Sequence, residues 1–327
     1  MSKHSHDPVG EFGDQRRSRS YNSGRFESDL QRGQVTRDLN FKQRAARHEG
    51  GIMAACHRDV VAIPPTTTIM GAARTMVGYK YRRLPVADPG TKRIEGICTV
   101  VDIIDFLGGG EKSRIISRKY DGNMILAINA PVTEIMQERV ITVPDDASLE
   151  QAVALMIDRS VGGLPVVDRE GRIVGIITER DIMHLMGETV AGKLVRDIMS
   201  AEVTTAPPDT SIEAAAKVMV SSGFRRLPVV TDSFVCGIIT ATDIMRYLGS
   251  GDAFKKLVTG KVHEAVGAPI STIMKTDIIT AKPEQDISEV ARLMARNRIG
   301  CLPVIGERGL AGIITERDIV LSLKGGK

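Results

Sequence analysis

The sequence predicts an α+β fold made of four copies of a β-α-β-β-α unit, and three recurrences predict it. Leu-Pro-Val stands at residues 84–86, 164–166, 227–229 and 302–304. A Gly-Ile-x-Thr segment follows each of them, at 96–99, 175–178, 237–240 and 312–315. Ahead of each Leu-Pro-Val lies an apolar stripe at i, i+3, i+4, i+7, the spacing of one helix face.

Taken in order, each unit opens near an Ile-Met pair: Ile52-Met53, Ile135-Met136, Ile198-Met199 and Ile273-Met274. A short β-prone run follows, such as Val140 to Val143, and then a proline-containing turn. The helix comes next. Its stripe is Ile69, Ala72, Ala73, Met76 in the first unit and Leu149, Ala152, Val153, Met156 in the second. Ile212, Ala215, Ala216, Met219 and Ile287, Val290, Ala291, Met294 complete the set. Thr68, Ser148, Ser211 and Asp286 stand one position earlier, where an N-cap belongs. Ser148 with Gln151, and Asp286 with Glu289, have capping-box spacing. Leu-Pro-Val and Gly-Ile-x-Thr supply two strands. The closing helix begins T-x-x-D: Thr99 to Asp102, Thr178 to Asp181, Thr240 to Asp243 and Thr315 to Asp318. A unit of roughly 60 residues buries too little apolar surface to stand alone, so the units are expected to pair.

The units alternate. The first and third carry Arg-Arg before Leu-Pro-Val, at Arg82-Arg83 and Arg225-Arg226. The second and fourth carry glycine there (Gly162, Gly163 and Gly300), and both carry Thr-Glu-Arg-Asp-Ile. The connectors after the first and third units also resemble each other, "FLGGGEKSR" beside "YLGSGDAFK". The order is therefore A-B-A-B, a duplicated two-unit module. It divides the chain into a tail (1–51), a first repeat (52–110), a connector (111–134), a second repeat (135–188), a third (189–250), a connector (251–272) and a fourth (273–327).

With Leu-Pro-Val and G-h-h-T-x-x-D repeated four times over residues 52 to 323, the chain resembles the cystathionine-β-synthase (CBS) domain family. With four repeats in tandem it resembles the gamma subunit of AMP-activated protein kinase and the four-repeat CBS proteins of archaea. The resemblance implies two Bateman modules in a flat, pseudo-symmetric arrangement, with adenine nucleotides or related ligands in the clefts between repeats. S-adenosylmethionine and nicotinamide dinucleotides are known variants of that ligand. It also leaves room for a homodimer formed through the repeats.

The T-x-x-D motif has two readings. It is a capping box in its own right. It is also a carboxylate at a helix start, able to hold ribose hydroxyls beside free N–H groups that suit phosphate. The Arg-Arg pairs are not needed for capping, and a guanidinium fork suits phosphate oxygens. The resemblance implies that Arg82 and Arg83 share a ligand with Thr178 and Asp181, and that Arg225 and Arg226 share one with Thr315 and Asp318. Arg180 and Arg317 are within reach of the same phosphates. Thr99, Asp102, Thr240 and Asp243 then mark weaker or empty sites, and the glycines at 162, 163 and 300 are expected to face them.

Composition narrows the function classes. The net charge of +4 is too small by itself to imply nucleic acid. Cys56, Cys98, Cys236 and Cys301 form no CxxC pair, so neither a metal nor a disulfide is expected, and buried thiols in a reducing cytoplasm are. No apolar run approaches ~20 residues, so no membrane span is expected, and the N-terminus has no signal-peptide core. The six histidines are scattered and the repeats occupy the chain, which leaves no room for a catalytic barrel. The expected protein is a non-enzymatic, cytoplasmic nucleotide sensor without a resident cofactor, whose regulatory ligand is AMP, ADP or ATP. The tail keeps a second class open. It is polar, expected to be disordered when free, and holds ten Lys or Arg against seven Asp or Glu. Arg16, Arg17, Arg19 and Arg25 interleave with Phe12, Tyr21 and Phe26, which suits phosphate contact plus base stacking on RNA or a ribosome.

Overall fold

A computed structural model describes residues 51–186, 192–232, 234–256 and 259–323. The tail residues named above, Arg16, Arg17, Arg19, Tyr21 and Arg25 among them, lie outside the described residues.

The four stripe helices are Ile69–Tyr79, Leu149–Asp158, Ile212–Ser221 and Ile287–Asn297. Every stripe residue is buried except Leu149, which is half-buried. Thr68 and Ser211 cap through their hydroxyls, which accept from the Gly71 and Ala214 amides. Ser148 and Gln151 form the expected reciprocal box. Asp286 and Glu289 do not. Asp286 Oδ1 accepts from the Ser288 amide at 2.8 Å and from its hydroxyl, and Oδ2 accepts from the Gly192 amide at 2.7 Å. The serine two positions on captures the cap before the glutamate is needed.

The hairpins share one register. Arg83–Ala87 pairs with Ile94–Thr99 so that Leu84 faces Cys98. Gly163–Val167 pairs with Ile173–Thr178, Arg226–Thr231 with Phe234–Thr240, and Cys301–Gly306 with Gly309–Thr315, all in the equivalent alignment. The β-prone run before each stripe helix contributes little pairing. It joins its hairpin in parallel through Val143–Pro144 in the second repeat, and through single bridges at Ile63, Ala206 and Ala281 in the others.

The opening segments pack across the module rather than within their own repeats. Ile52, Ala55 and Cys56 belong to the core of the second repeat, with Val143, Leu164 and Ile177. Val132 and Ile135 return the exchange by entering the first-repeat core. Val195 packs in the fourth repeat, and Ile270 in the third. Backbone pairing follows suit, with His57 on Ile176, Gln137 on Ile97, Ser200 on Ile313 and Lys275 on Ile238. This pairing corrects the alignment of the first repeat. Ala55-Cys56, not Ile52-Met53, is equivalent to the other Ile-Met pairs, because Cys56 closes on Ile52 O as Met136 closes on Val132 O.

Repeats one and two thus form one module, and repeats three and four the other. The modules meet through helices. One apolar core runs through the first and third repeats, and Val320 of the fourth repeat reaches the core of the second. The chain after the first closing helix, Val100–Ile104, enters a π-helical turn over Asp105–Gly109, where Gly108 takes φ +127°. Among the described residues no helix is long and apolar enough to cross a membrane, and the four cysteines are free thiols.

Candidate functional site

Each T-x-x-D aspartate divides its two oxygens between structure and surroundings. Oδ2 takes the cap in all four repeats: the amides of Thr99, Thr178, Thr240 and Thr315 donate to it at 2.7, 2.8, 3.0 and 2.8 Å. The threonine hydroxyls donate to the same oxygen. The capping and binding readings are therefore compatible, since Oδ1 is left over each time.

What meets Oδ1 differs between A and B repeats. The ammonium of Lys112 and the amide of Gln137 close over Asp102, which is only 2% exposed. Arg246 Nη1 donates to Asp243 Oδ1 at 2.8 Å. In the B repeats, His57 Nε2 lies 2.8 Å from Asp181 Oδ1. Asp318 Oδ1 has no hydrogen-bond partner among the described residues. Burial raises the Asp318 carboxyl above the ordinary range, against the Thr315 hydrogen bonds that lower it.

The arginines converge where all four repeats meet. The strand starts carry Arg82, Arg83, Arg225 and Arg226, and the B-repeat helix starts carry Arg180 and Arg317. Two buried glutamates, Glu179 and Glu316, lie among them, each 4% exposed. Glu316 Oε2 accepts from Arg82 Nη1 at 3.0 Å, and Oε1 from Arg180 Nε at 2.7 Å. Glu179 is held more loosely, with Arg225 Nη2 at 3.4 Å and Arg317 Nη1 at 3.7 Å. Arg226 Nη1 donates to the Gly300 carbonyl at 2.7 Å. Arg83 makes no hydrogen bond or ion pair with a described residue. Burial, with Arg225 beside it, pushes the Arg83 guanidinium down to about 10. Burial acts to raise Glu316, but Arg82 and then Arg180 outweigh it and hold the carboxyl down at about 2.

Each Arg-Arg pair divides between the two B repeats. Arg82 reaches the fourth repeat at Glu316, while its neighbour Arg83 lies over Gly162 and Gly163 of the second. Arg225 reaches Glu179 and Arg226 reaches Gly300. The pairs do not go whole to Asp181 and Asp318 as the resemblance implied. Nor do the glycines face the Asp102 and Asp243 sites. A Cβ built on Gly163 would collide with Arg83 Nη1. One on Gly162 would fall 2.7 Å from Glu179 Oε2 and 3.0 Å from Arg83 Nη2, and one on Gly300 2.9 Å from Arg82 Nη2. Glycine in the B repeats is the space that the A-repeat arginines fill. Sequence reasoning missed Glu179 and Glu316, although both stand inside the Thr-Glu-Arg-Asp-Ile segment that marks the B repeats. It also missed His57, Lys112, Gln137 and Arg246, which no motif singles out.

The sequence pattern of the CBS domain matches residues 52–109, 132–188, 195–250 and 270–325. An uncharacterized protein of Methanocaldococcus jannaschii, MJ1225, is similar at 41% identity over 268 residues, spanning 81% of this chain and 96% of its own. Its crystal structure, described as that of a proposed archaeal homolog of g-AMPK, superposes with a TM-score of 0.80 at 40% identity, covering 84% of this chain and 99% of that one. An uncharacterized 33.4 kDa protein from a ribosomal RNA operon of Thermofilum pendens is 26% identical over 264 residues, which is 81% of this chain and 88% of its own. A conserved protein of Pyrococcus horikoshii shares the fold, with a TM-score of 0.53 at 24% identity over 82% of this chain and 97% of that one.

Proposed function

The chain belongs to the CBS-domain family, and from that membership we propose that it is a non-enzymatic regulatory protein of the cytoplasm that binds an adenine nucleotide, AMP, ADP or ATP, where its repeats meet. The observation that carries this reading is the arginine cluster. Six guanidiniums gather at two strand starts and two helix starts, and Arg83 is held there, mostly out of water, with no ion pair to a carboxylate among the described residues. A half-buried guanidinium without a partner is costly, and an anion relieves the cost. Phosphate is an anion whose oxygens the planar fork fits.

In this reading Asp181 and Asp318, with Thr178 and Thr315 fixing their orientation, hold the ribose. Arg82, Arg83, Arg180, Arg225, Arg226 and Arg317 take the phosphates. The sites at Thr99–Asp102 and Thr240–Asp243 are the weaker ones. The basic side chains already on Oδ1 of Asp102 and Asp243 support that order against Asp318, whose Oδ1 has no hydrogen-bond partner among the described residues; at Asp181 a ribose hydroxyl would have to displace His57 in the same way.

Thermal-shift screening of AMP, ADP and ATP against S-adenosylmethionine and NAD tests the proposal. A nucleotide at ~100 times its dissociation constant should stabilise the fold by about 2.7 kcal/mol. A melting curve moved only by S-adenosylmethionine sinks the phosphate reading.

A second reading, contact with RNA or a ribosome through the arginines of residues 1–51, draws on their composition and on the ribosomal RNA operon of the Thermofilum relative. Deletion of residues 1–51 should then abolish RNA co-sedimentation that is steeply salt-dependent, while nucleotide binding survives. Full-length protein that ignores RNA at ~50 mM salt removes this reading.

A further inference from the structure

The central cluster contains carboxylates that neither capping nor ribose binding requires. Asp181 and Asp318 already cap the closing helices of the B repeats, so Glu179 and Glu316 are not needed as caps. Each is nevertheless the first residue of its helix, Glu179–Met186 or Glu316–Leu323, where free amides and the helix dipole favour an anion. Each also spends its carboxylate on arginines from different repeats: Glu316 on Arg82 and Arg180, Glu179 on Arg225 and Arg317. These are the groups and the helix ends that a ligand phosphate would use. Even with Asp181 and Asp318 counted, the arginines outnumber the carboxylates six to four.

We propose that Glu179 and Glu316 are built-in counter-anions, which hold the arginine cluster together without ligand and give up its guanidiniums to phosphate, so that they set the affinity of the site and its discrimination between ligands of different charge. The inference rests on the nucleotide reading for the identity of the ligand, but not for the role of the carboxylates. A carboxylate bridging two arginines and a phosphate compete for the same guanidinium donors, so ligand binding must first break the ion pairs. A glutamate that stays nearby then repels the incoming phosphates, and repels a triphosphate more than a monophosphate. Glu316, gripped at 2.7 and 3.0 Å, is the stronger competitor, and Glu179, at 3.4 and 3.7 Å, the weaker.

The test is calorimetric titration of full-length protein, Glu179→Gln and Glu316→Gln with AMP, ATP and inorganic pyrophosphate at fixed ionic strength. Both substitutions should tighten binding, with Glu316→Gln giving the larger gain. One charge-assisted hydrogen bond corresponds to roughly tenfold to a hundredfold in affinity. The gain should be greater for ATP than for AMP, while the ligand-free melting temperature falls. A purely structural pair of glutamates predicts the opposite for affinity: folded variants that bind nucleotide equally or more weakly overturn the proposal and leave the nucleotide reading standing. Pyrophosphate that tightens on substitution, in a protein that binds no nucleotide, upholds the counter-anions and sinks the nucleotide reading. Failure of all three proteins to bind any of the probes sinks both. If a glutamine variant does not fold, Glu316→Asp retracts the carboxylate by one methylene and keeps its charge. It should bind more tightly than wild type, and unchanged or weaker binding overturns the proposal.

Discussion

A single methyl group at residue 163 tests how the cluster is built. Gly163 does not use a left-handed backbone, so alanine there carries no conformational penalty, only a collision with Arg83 and a 3.0 Å approach to the Ile177 carbonyl. Gly163→Ala should therefore cost about 1–3 kcal/mol of stability, the range for overpacking, and weaken nucleotide binding as Arg83 is displaced. Gly51 has no atom within 4 Å of such a Cβ, and Gly51→Ala should stay within about 0.5 kcal/mol of wild type. Melting curves and calorimetry on the two variants check this; equal behaviour would remove space as the reason for glycine. Glu316 makes a second residue-scale prediction, in pH. Its carboxyl is held at about 2, below the 4.5 it has when unfolded. A depressed carboxylate stabilises fully above the unfolded value and loses that contribution as pH falls through the folded one. The melting temperature should drop between about pH 4.5 and pH 2, and Glu316→Gln should flatten that part of the profile. The sequence made the arginines legible because they alternate with glycine. Their partners were not legible, since a glutamate one position before an arginine reads as an ordinary helix-start residue until its neighbours from other repeats are in view.

At the scale of elements, the stripe helices, the hairpins, the four N-caps and one of the two predicted capping boxes could be read from periodicity and capping residues alone, because these signals are local. The exchange of opening segments could not, because periodicity shows which face is apolar and not whose core receives it. One local clue was available. Cys56 precedes its cap Thr68 by the same interval as Met136 precedes Ser148, so spacing rather than residue type aligns the repeats. The pattern has a steric counterpart. A Cβ on the hairpin glycines Gly96, Gly175, Gly237 and Gly312 would meet the sulfur of Met136, Cys56, Met274 and Met199 at 2.5, 2.6, 2.8 and 2.7 Å. Each sulfur comes from the partner repeat. Ile52→Ala should therefore cost about 2–5 kcal/mol, the range for a buried large-to-small change, and should act at a distance in sequence. Amide hydrogen exchange should rise in residues 143–182 of the second repeat, whose core Ile52 enters, rather than in 69–104 of the first. Faster exchange confined to the first repeat would mean that the opening segment serves its own unit.

At the scale of the whole molecule, the two modules are joined by close helix approach, and small residues permit it. A Cβ on Gly109 would fall 2.7 Å from Val220 Cγ2 and 3.0 Å from the Ala216 carbonyl of the third repeat. One on Gly249 would fall 3.0 Å from Val77 Cγ2 and 3.4 Å from the Ala73 carbonyl of the first. These two glycines come from "FLGGG" and "YLGSG", the connector starts whose likeness first suggested a duplicated module, so the pseudo-symmetry of the sequence marks the module interface. The core of the first and third repeats is continuous through it, with Phe106, Leu107, Tyr247 and Leu248 all buried. Wild-type protein should accordingly unfold as one cooperative unit, because neither module can lose its partner without exposing that surface. Gly249→Leu should push the Ala73 and Val77 face away and split the calorimetric transition in two. Gly249 is the cleaner site than Gly109, where the Ile104 carbonyl of its own turn stands 2.7 Å away and adds strain unrelated to the interface. The arginine cluster draws on both modules, so a nucleotide that engages Arg82 and Arg317 together binds only the joined form. Adding nucleotide to Gly249→Leu should then draw the two transitions back toward one, since a ligand favours the state that it alone recognises. Two transitions that nucleotide raises independently, with their separation unchanged, would mean that each module holds its ligand by itself and that the central cluster is not shared.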